Sequence, residues 1–477
     1  MKQNHFLATM KTCLLLTAGV LLASCADTYD GNDTFISDVQ NATLESPNEA
    51  DVTLTPSSDG TELTIQWPVV FGAGGYEFKL LNANDETTPL VNEIIDGCKV
   101  TVGIEEDMNY KILIRTLGNE SLNNKEAVNP TTMAYSTFTE TYKEISPCDL
   151  YQYFQENPIP DTETGELNFD LEGNGQYTVS QPLDFKYHKV VLRSSDKNHH
   201  AIITIAEDAN FIVSNDFTLK YVDVDASATL KPVMEAYNYD VAPDDILPKP
   251  GNYYLIDFVR IMNCSIKGVV GSLFYDNNKA YAVVNFLIKN TIIQANTATE
   301  RIKNESFISF QGGGVKDFSI SYSTVYQTGE GNSKYFLRYN NSIRVDRLGY
   351  ATTERTTMTY TNNTFYKMAS GNWANYSGIA NYSTYDIQNN IWYSCGDGAT
   401  ARRIMGNGRL GNGSSATWVY NTYWNENGQV DQGNYDTGVV LTTDPGFVDA
   451  ANANFTPTGS EQLEKGTGDP RWLNTGE

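Results

Sequence analysis

The chain has 477 residues, with 58 Asp and Glu against 33 Lys and Arg, and a formal charge of −25. Aromatic residues make up 12% and charged residues 19%, a balance too rich in aromatics and too poor in charge for a disordered chain. The acidic excess and the lack of a basic nucleic-acid-reading motif exclude a uniform nucleic-acid binder. The single prominent apolar run is too short to span a membrane.

That run, Cys13 to Leu22, follows Lys2 and Lys11 and reads as the core of a signal peptide over residues 1–24. It ends in Leu22-Ala23-Ser24-Cys25, which resembles the bacterial lipobox. The resemblance implies cleavage before Cys25 and a diacylglycerol on its sulfur. Residues 25–50 form an acidic tether that starts with Asp27, Asp30 and Asp33 and resembles the export leaders of Bacteroidales surface lipoproteins. An outer-membrane protein facing the cell exterior is implied, anchored by lipid and not spanning the bilayer. Cys98, Cys148, Cys264 and Cys395 remain, without CxxC spacing. A zinc site is not indicated; free thiols are the default, and a disulfide stays open in an oxidising compartment.

Over 51–140, Leu63-Thr64-Ile65-Gln66-Trp67, Tyr76-Glu77-Phe78-Lys79-Leu80 and Tyr110-Lys111-Ile112-Leu113-Ile114-Arg115 alternate as strands. This segment resembles a fibronectin type III sandwich, with Trp67 on the second strand and Tyr110 on the sixth, its aromatics in the core and its role that of a spacer. Residues 141–160 read as a linker with a short helix, capped by Ser146 with Pro147 at the first helical position and running through Phe154. Such a helix would cover the open end of the next domain.

Residues 161–477 repeat. Ile261-Met262-Asn263-Cys264-Ser265-Ile266 is echoed at 287–292, 320–325, 360–365, 387–392 and 418–423, at intervals of 26 to 40 residues. A second strand is expected between copies, at 273–275, 308–310, 336–338, 378–380 and 403–405. Repeating strands with Asn at a turn resemble the coils of a right-handed parallel β-helix, since Asn tolerates the left-handed backbone. Asn290, Asn363, Asn390 and Asn421 are expected to stack as a ladder. A propeller would need longer, four-stranded repeats. The chain is thus read as all-β. With the lipobox, the sandwich and endings such as Asp444-Pro445-Gly446-Phe447, it resembles the pectin-lyase-like lipoproteins of polysaccharide-utilisation loci. That family implies glycan handling beside an outer-membrane importer and supplies no catalytic motif.

Charge is uneven: Arg260 to Arg409 holds 16 basic and 9 acidic residues, a net of +7 that leaves −32 for the remainder. A basic solenoid body suggests an anionic ligand, and the family resemblance points to a uronic-acid polysaccharide such as pectin. Histidines stand only at 5, 188, 199 and 200, so neither a polygalacturonase Gly-His-Gly site nor a Ser-His-Asp triad is present in the later coils. Asp276, Asp317, Asp346, Asp386 and Asp397 show no spacing that pairs two carboxylates for hydrolysis. A lyase would need a Lys or Arg base, with Ca²⁺ held by Asp346 or Asp397; no cofactor is otherwise implied. Arg338, Arg344, Arg402 and Arg403 are expected to grip carboxylates, and Trp373, Tyr376 and Tyr382 to offer ring faces to sugar, with Trp373 in an exposed loop. Arg347 and Arg409 are candidates on the same footing as the other arginines, for the base or the grip, and Tyr350 and Tyr382 are the weaker ring candidates. Polysaccharide capture is the first expectation, β-elimination the second, and a structural or adhesive role the third.

Overall fold

The computed structural model describes residues 38–57, 61–236, 247–297, 306–339, 348–351, 353–376, 381–396, 399–405, 408–427 and 435–473. Two compact units divide after Thr137. In the first, the alternating segments form β1 (Thr53–Pro56), β2 (Glu62–Gln66), β3 (Tyr76–Asn82), β4 (Val91–Ile95), β5 (Lys99–Gly103), β6 (Asn109–Thr116) and β7 (Thr131–Ser136). They make two antiparallel sheets, β1-β2-β5 and β4-β3-β6-β7. Every second residue of β6, from Tyr110, is buried, as the period of a half-buried strand requires. Leu63 and Ile65 from one sheet meet Phe78, Ile112 and Ile114 from the other in one core. Trp67 is buried, stacked on Phe78 with ring centroids 6.4 Å apart.

The second unit is a solenoid. Its coils place strands in turn on three parallel sheets, of ten, nine and seven strands. The first strand of the ten-stranded sheet, Lys143–Ile145, pairs with Glu166–Leu171 and so lies inside the segment read as linker. Helix α1 (Leu150–Glu156) follows. Its cap is Asp149 and not Ser146: the Asp149 carboxylate accepts the Tyr151 N–H at 3.0 Å. Phe154 packs edge-on against Phe169 and Phe185, each at 5.0 Å, closing the core over the first coil.

The turn from the ten- to the nine-stranded sheet has a fixed form. Tyr221, Asn263, Asn290, Tyr322, Asn362, Asn389 and Tyr420 all take left-handed backbone there, with φ between 46° and 56°. The next residue points inward. Asn363 Nδ2 donates to Asn390 Oδ1 at 2.8 Å, Asn390 Nδ2 to Asn421 Oδ1 at 3.0 Å, and Asn421 Nδ2 to Asp436 Oδ2 at 3.1 Å. Ser323 and Thr291 continue the line in the opposite direction. Asn290 is therefore not a rung. The true register sets Asn290 beside Asn263, and Thr291 takes the inward place. A shift of one residue exchanges inside for outside.

Two further expectations are corrected. The strand expected at 403–405 does not form: Thr400–Ile404 is a helix, α2, that buries Thr400, Ala401 and Ile404, and the strand expected at 378–380 lies outside the described residues. Ala and Arg favour helix, and the buried residues fall on one helical face. In chain order α1 and α2 occupy the slots where intervening coils place strands of the seven-stranded sheet, so α1 precedes the first strand of that sheet and α2 follows its last. Trp373 is not exposed. The polar window around it enters the strand Ala374–Tyr376, and its ring stacks on Phe336 at 4.2 Å with zero exposure. Trp373 precedes the strand, at the corner of the coil, where its ring also meets Phe365 and Trp392 edge-on at 4.9 and 6.0 Å.

The tail lies along the nine-stranded sheet. Phe455 packs on Tyr326 and Tyr366, and helix α3 (Ser460–Lys465) leads into a latch. There Gly468 N–H donates to the Asn389 carbonyl at 2.7 Å, Thr324 Oγ1 to Asp469 Oδ2 at 2.8 Å, and Arg471 Nη2 to Asn290 Oδ1 at 2.8 Å. The latch thus crosses four successive coils. Cys98, Cys148, Cys264 and Cys395 are free thiols.

Candidate binding groove

On the strand Tyr254–Met262, Val259 and Ile261 point into the core, so Phe258, Arg260 and Met262 face outward. Parallel pairing carries these positions across the sheet. Phe258, Asn285, Asp317, Thr357 and Thr384 form one row, and Arg260, Leu287, Ser319, Thr359 and Asp386 the next. Neighbours in a row stand one strand spacing apart, about 4.8 Å. Over these rows lies a groove of about 660 Å³, with Phe258, Met262 and Leu287 on its floor and Lys316, Asp317, Glu354 and Arg355 at its edge.

Arg260 donates to Thr218 Oγ1 at 2.7 Å, ion-pairs with Glu166, and lies over the Phe258 ring at 4.7 Å. The Lys316 ammonium is 2.9 Å from Asp317, 3.8 Å from Glu354 and 5.4 Å from the Tyr350 ring centre. Burial pushes the Tyr350 phenol up, offset by Lys316 and reinforced by Asp257, Asp317 and Glu354. Asp317 Oδ1 also accepts the Thr357 N–H and hydroxyl, both at 2.9 Å. Arg355 is exposed and donates to Thr384 Oγ1 at 3.2 Å; no carboxylate lies within ion-pair distance of it among the described residues. An apolar floor beside guanidinium and ammonium groups can take a sugar ring face and a carboxylate together.

Of the residues singled out from the sequence, Asp317 lines this groove and Tyr350 lies beside its Lys316, while the principal candidates lie elsewhere. Arg338 is on the seven-stranded sheet, in register with Ser309 and Asn375. Arg402 and Arg403 are on α2, which packs against the strand of Tyr376. Tyr382 sits at the opposite turn, with left-handed backbone and its ring against Gly413. These residues share no site with the groove. Cys25, Arg344, Asp346, Arg347 and Asp397 lie outside the described residues.

No group of three or more His, Cys, Asp or Glu able to hold a metal occurs among the described residues. Asp276 accepts the N–H groups of Gly312 and Gly313, at 2.8 and 2.6 Å, and serves a turn; burial pushes its carboxyl up. His199 and His200 contact Asp196 and Asp223 separately. Sequence reasoning missed Phe258, Arg260, Leu287, Lys316 and Arg355. The usable signal was the period of two across the repeats, which marks outward positions once the register is right.

Three family models, each described as a domain of unknown function, match the chain in succession: DUF4992 over residues 1–174, DUF4957 over 175–328 and DUF5123 over 358–472. No curated protein matches it.

Proposed function

We propose that this is a lipid-anchored protein of the outer membrane, facing the cell exterior, that captures a plant-type, uronate-containing polysaccharide such as pectin for a neighbouring importer. Cys25 carries the lipid in this reading. The first unit is a spacer of fibronectin type III kind, supported by its two-sheet core, its buried Trp67, and Tyr110, whose hydroxyl accepts the Glu105 N–H at 2.7 Å. The solenoid is read as a right-handed parallel β-helix of the pectin-lyase type.

The observation that carries the reading is the groove on the ten-stranded face. It combines an apolar floor with Arg260, Lys316 and Arg355, in the segment where basic residues exceed acidic ones. Arg260 and Lys316 already have carboxylate partners, which favours gripping over proton abstraction as their role. The test is electrophoresis of the full chain through native gels cast with polygalacturonate, pectin or uncharged polymers. Retardation in the acidic polymers, with the polymer intact, is expected. Migration unchanged in every gel would overturn capture. A cleared track with unsaturated, ultraviolet-absorbing ends would make the protein a lyase.

A further inference from the structure

The seven-stranded sheet has its own outward row. Glu235, Tyr275, Ser309, Arg338 and Asn375 stand in register on five successive strands. Between the first three opens a recess of about 260 Å³, below the size of an extended ligand groove and suited to one small ring. Its wall combines the Glu235 carboxylate, the Tyr275 phenol, and the polar groups of Ser272, Ser309 and Gln311.

Two features distinguish this recess from an ordinary surface dent. Glu235 is held in place by Asn210, whose Nδ2 donates to Glu235 Oε2 at 3.0 Å. Tyr275 is held likewise, its phenolic oxygen accepting from Asn278 Nδ2 at 2.7 Å.

The groups in the recess select a ligand class. A carboxylate accepts hydrogen bonds and repels anions, so Glu235 favours a pair of neighbouring hydroxyls and disfavours a uronate. Tyr275 adds an aromatic surface with a polar tip. We infer that this recess is a subsite for one uncharged sugar residue bearing adjacent hydroxyls, a side-branch or chain-end unit, distinct from the groove that takes the acidic backbone. The inference rests on the glycan-capture reading and gives it a second, neutral specificity.

The test uses the full chain, as wild type, Glu235→Gln and Tyr275→Ala, in native gels with two probes: unbranched polygalacturonate and an uncharged galactan. Wild type is expected to be retarded by both. Each substitution should weaken the galactan interaction about tenfold or more, the loss of a charge-assisted hydrogen bond or of a ring contact, and leave polygalacturonate retardation unchanged. Thermal unfolding of the near-isosteric Glu235→Gln confirms that the fold is kept. Retardation of wild type by polygalacturonate alone would sink the neutral subsite and leave capture standing. Retardation by neither would sink both. Galactan binding unaffected by either substitution, or equal loss on both probes, would overturn the assignment of this recess.

Discussion

The ladder of inward turn residues makes a sharp prediction at Asn390. Its Oδ1 accepts the Asn363 N–H at 3.1 Å and Nδ2 at 2.8 Å, and its Nδ2 donates to the carbonyls of Tyr360 and Gln388 and to Asn421 Oδ1. The residue is fully buried. Asn390→Ala strands two buried backbone groups, the Asn363 N–H and the Tyr360 carbonyl, at about 1–3 kcal/mol each, so a loss of about 4 kcal/mol is expected. For a solenoid unit starting at Phe138, about 340 residues, that corresponds to a fall in melting temperature of about 6 °C. Asn290→Ala is the comparison. It retains the left-handed turn, at φ 49°, without a side chain suited to it, and removes only exposed contacts. Its cost should stay near 1–2 kcal/mol. Urea unfolding monitored by circular dichroism ranks the two. If Asn390→Ala costs no more than Asn290→Ala, the ladder does not stabilise the coils as argued.

Trp373→Ala should lose about 3–5 kcal/mol of stability through the cavity it leaves, while the fraction that remains folded keeps its polymer retardation, measured on the same native gels. Arg355→Ala should weaken polygalacturonate retardation about tenfold without moving the melting temperature, since its side chain is exposed and its loss removes a charge-assisted contact of about 1.5 kcal/mol or more. At the ladder's end, burial raises the Asp436 carboxyl above 3.8, with Gly438, Asn421 and Tyr423 acting against that shift. Folded Asp436 therefore holds its proton more tightly than the unfolded chain, and its contribution is largest below pH 3.8 and falls as pH rises through the raised value. Asp436→Asn should be destabilised at pH 4 by a donor set against donors, and the deficit should shrink by pH 7 when urea midpoints are compared. Gly468 has φ 101°, and a Cβ there would meet Ile391 Cδ1 at 2.9 Å. Gly468→Ala should loosen the latch, read as faster hydrogen exchange at the amides of residues 468 and 469, which donate to the Asn389 carbonyl and Thr364 Oγ1, with the first unit unaffected.

The parallel solenoid was legible because its repeats carry an inward strand pattern and a turn residue that tolerates positive φ. The rung positions were not, because Asn290-Thr291 and Asn362-Asn363 offer polar residues at both turn places, and only pairing decides which faces inward. Trp373 differs for a related reason: Gly371 and Asn372 beside it are loop residues by composition, yet the ring fills the space beside Phe336 in the core. The groove depended on register as well. Phe258, Leu287 and Lys316 are 29 and 29 positions apart in sequence and meet only when coils of unequal length are stacked. α2 was hidden because Arg403-Ile404-Met405 matches a strand in composition, and the slot it fills is defined by the last strand of a sheet that ends there.

A stack of parallel coils is, in geometry, a short length of the cross-β arrangement from which filaments grow. Growth requires that the terminal layer offer the next molecule the same three rows of free backbone groups. Here one of the three rows is interrupted at both poles, since α1 and α2 spend their backbone hydrogen bonds within themselves. At the last coil the edge of the nine-stranded sheet is taken as well, since the Tyr423 N–H donates to the Leu441 carbonyl and the Leu441 N–H to the Asn421 carbonyl, each at 2.9 Å. These interruptions oppose the pairing of coils end to end.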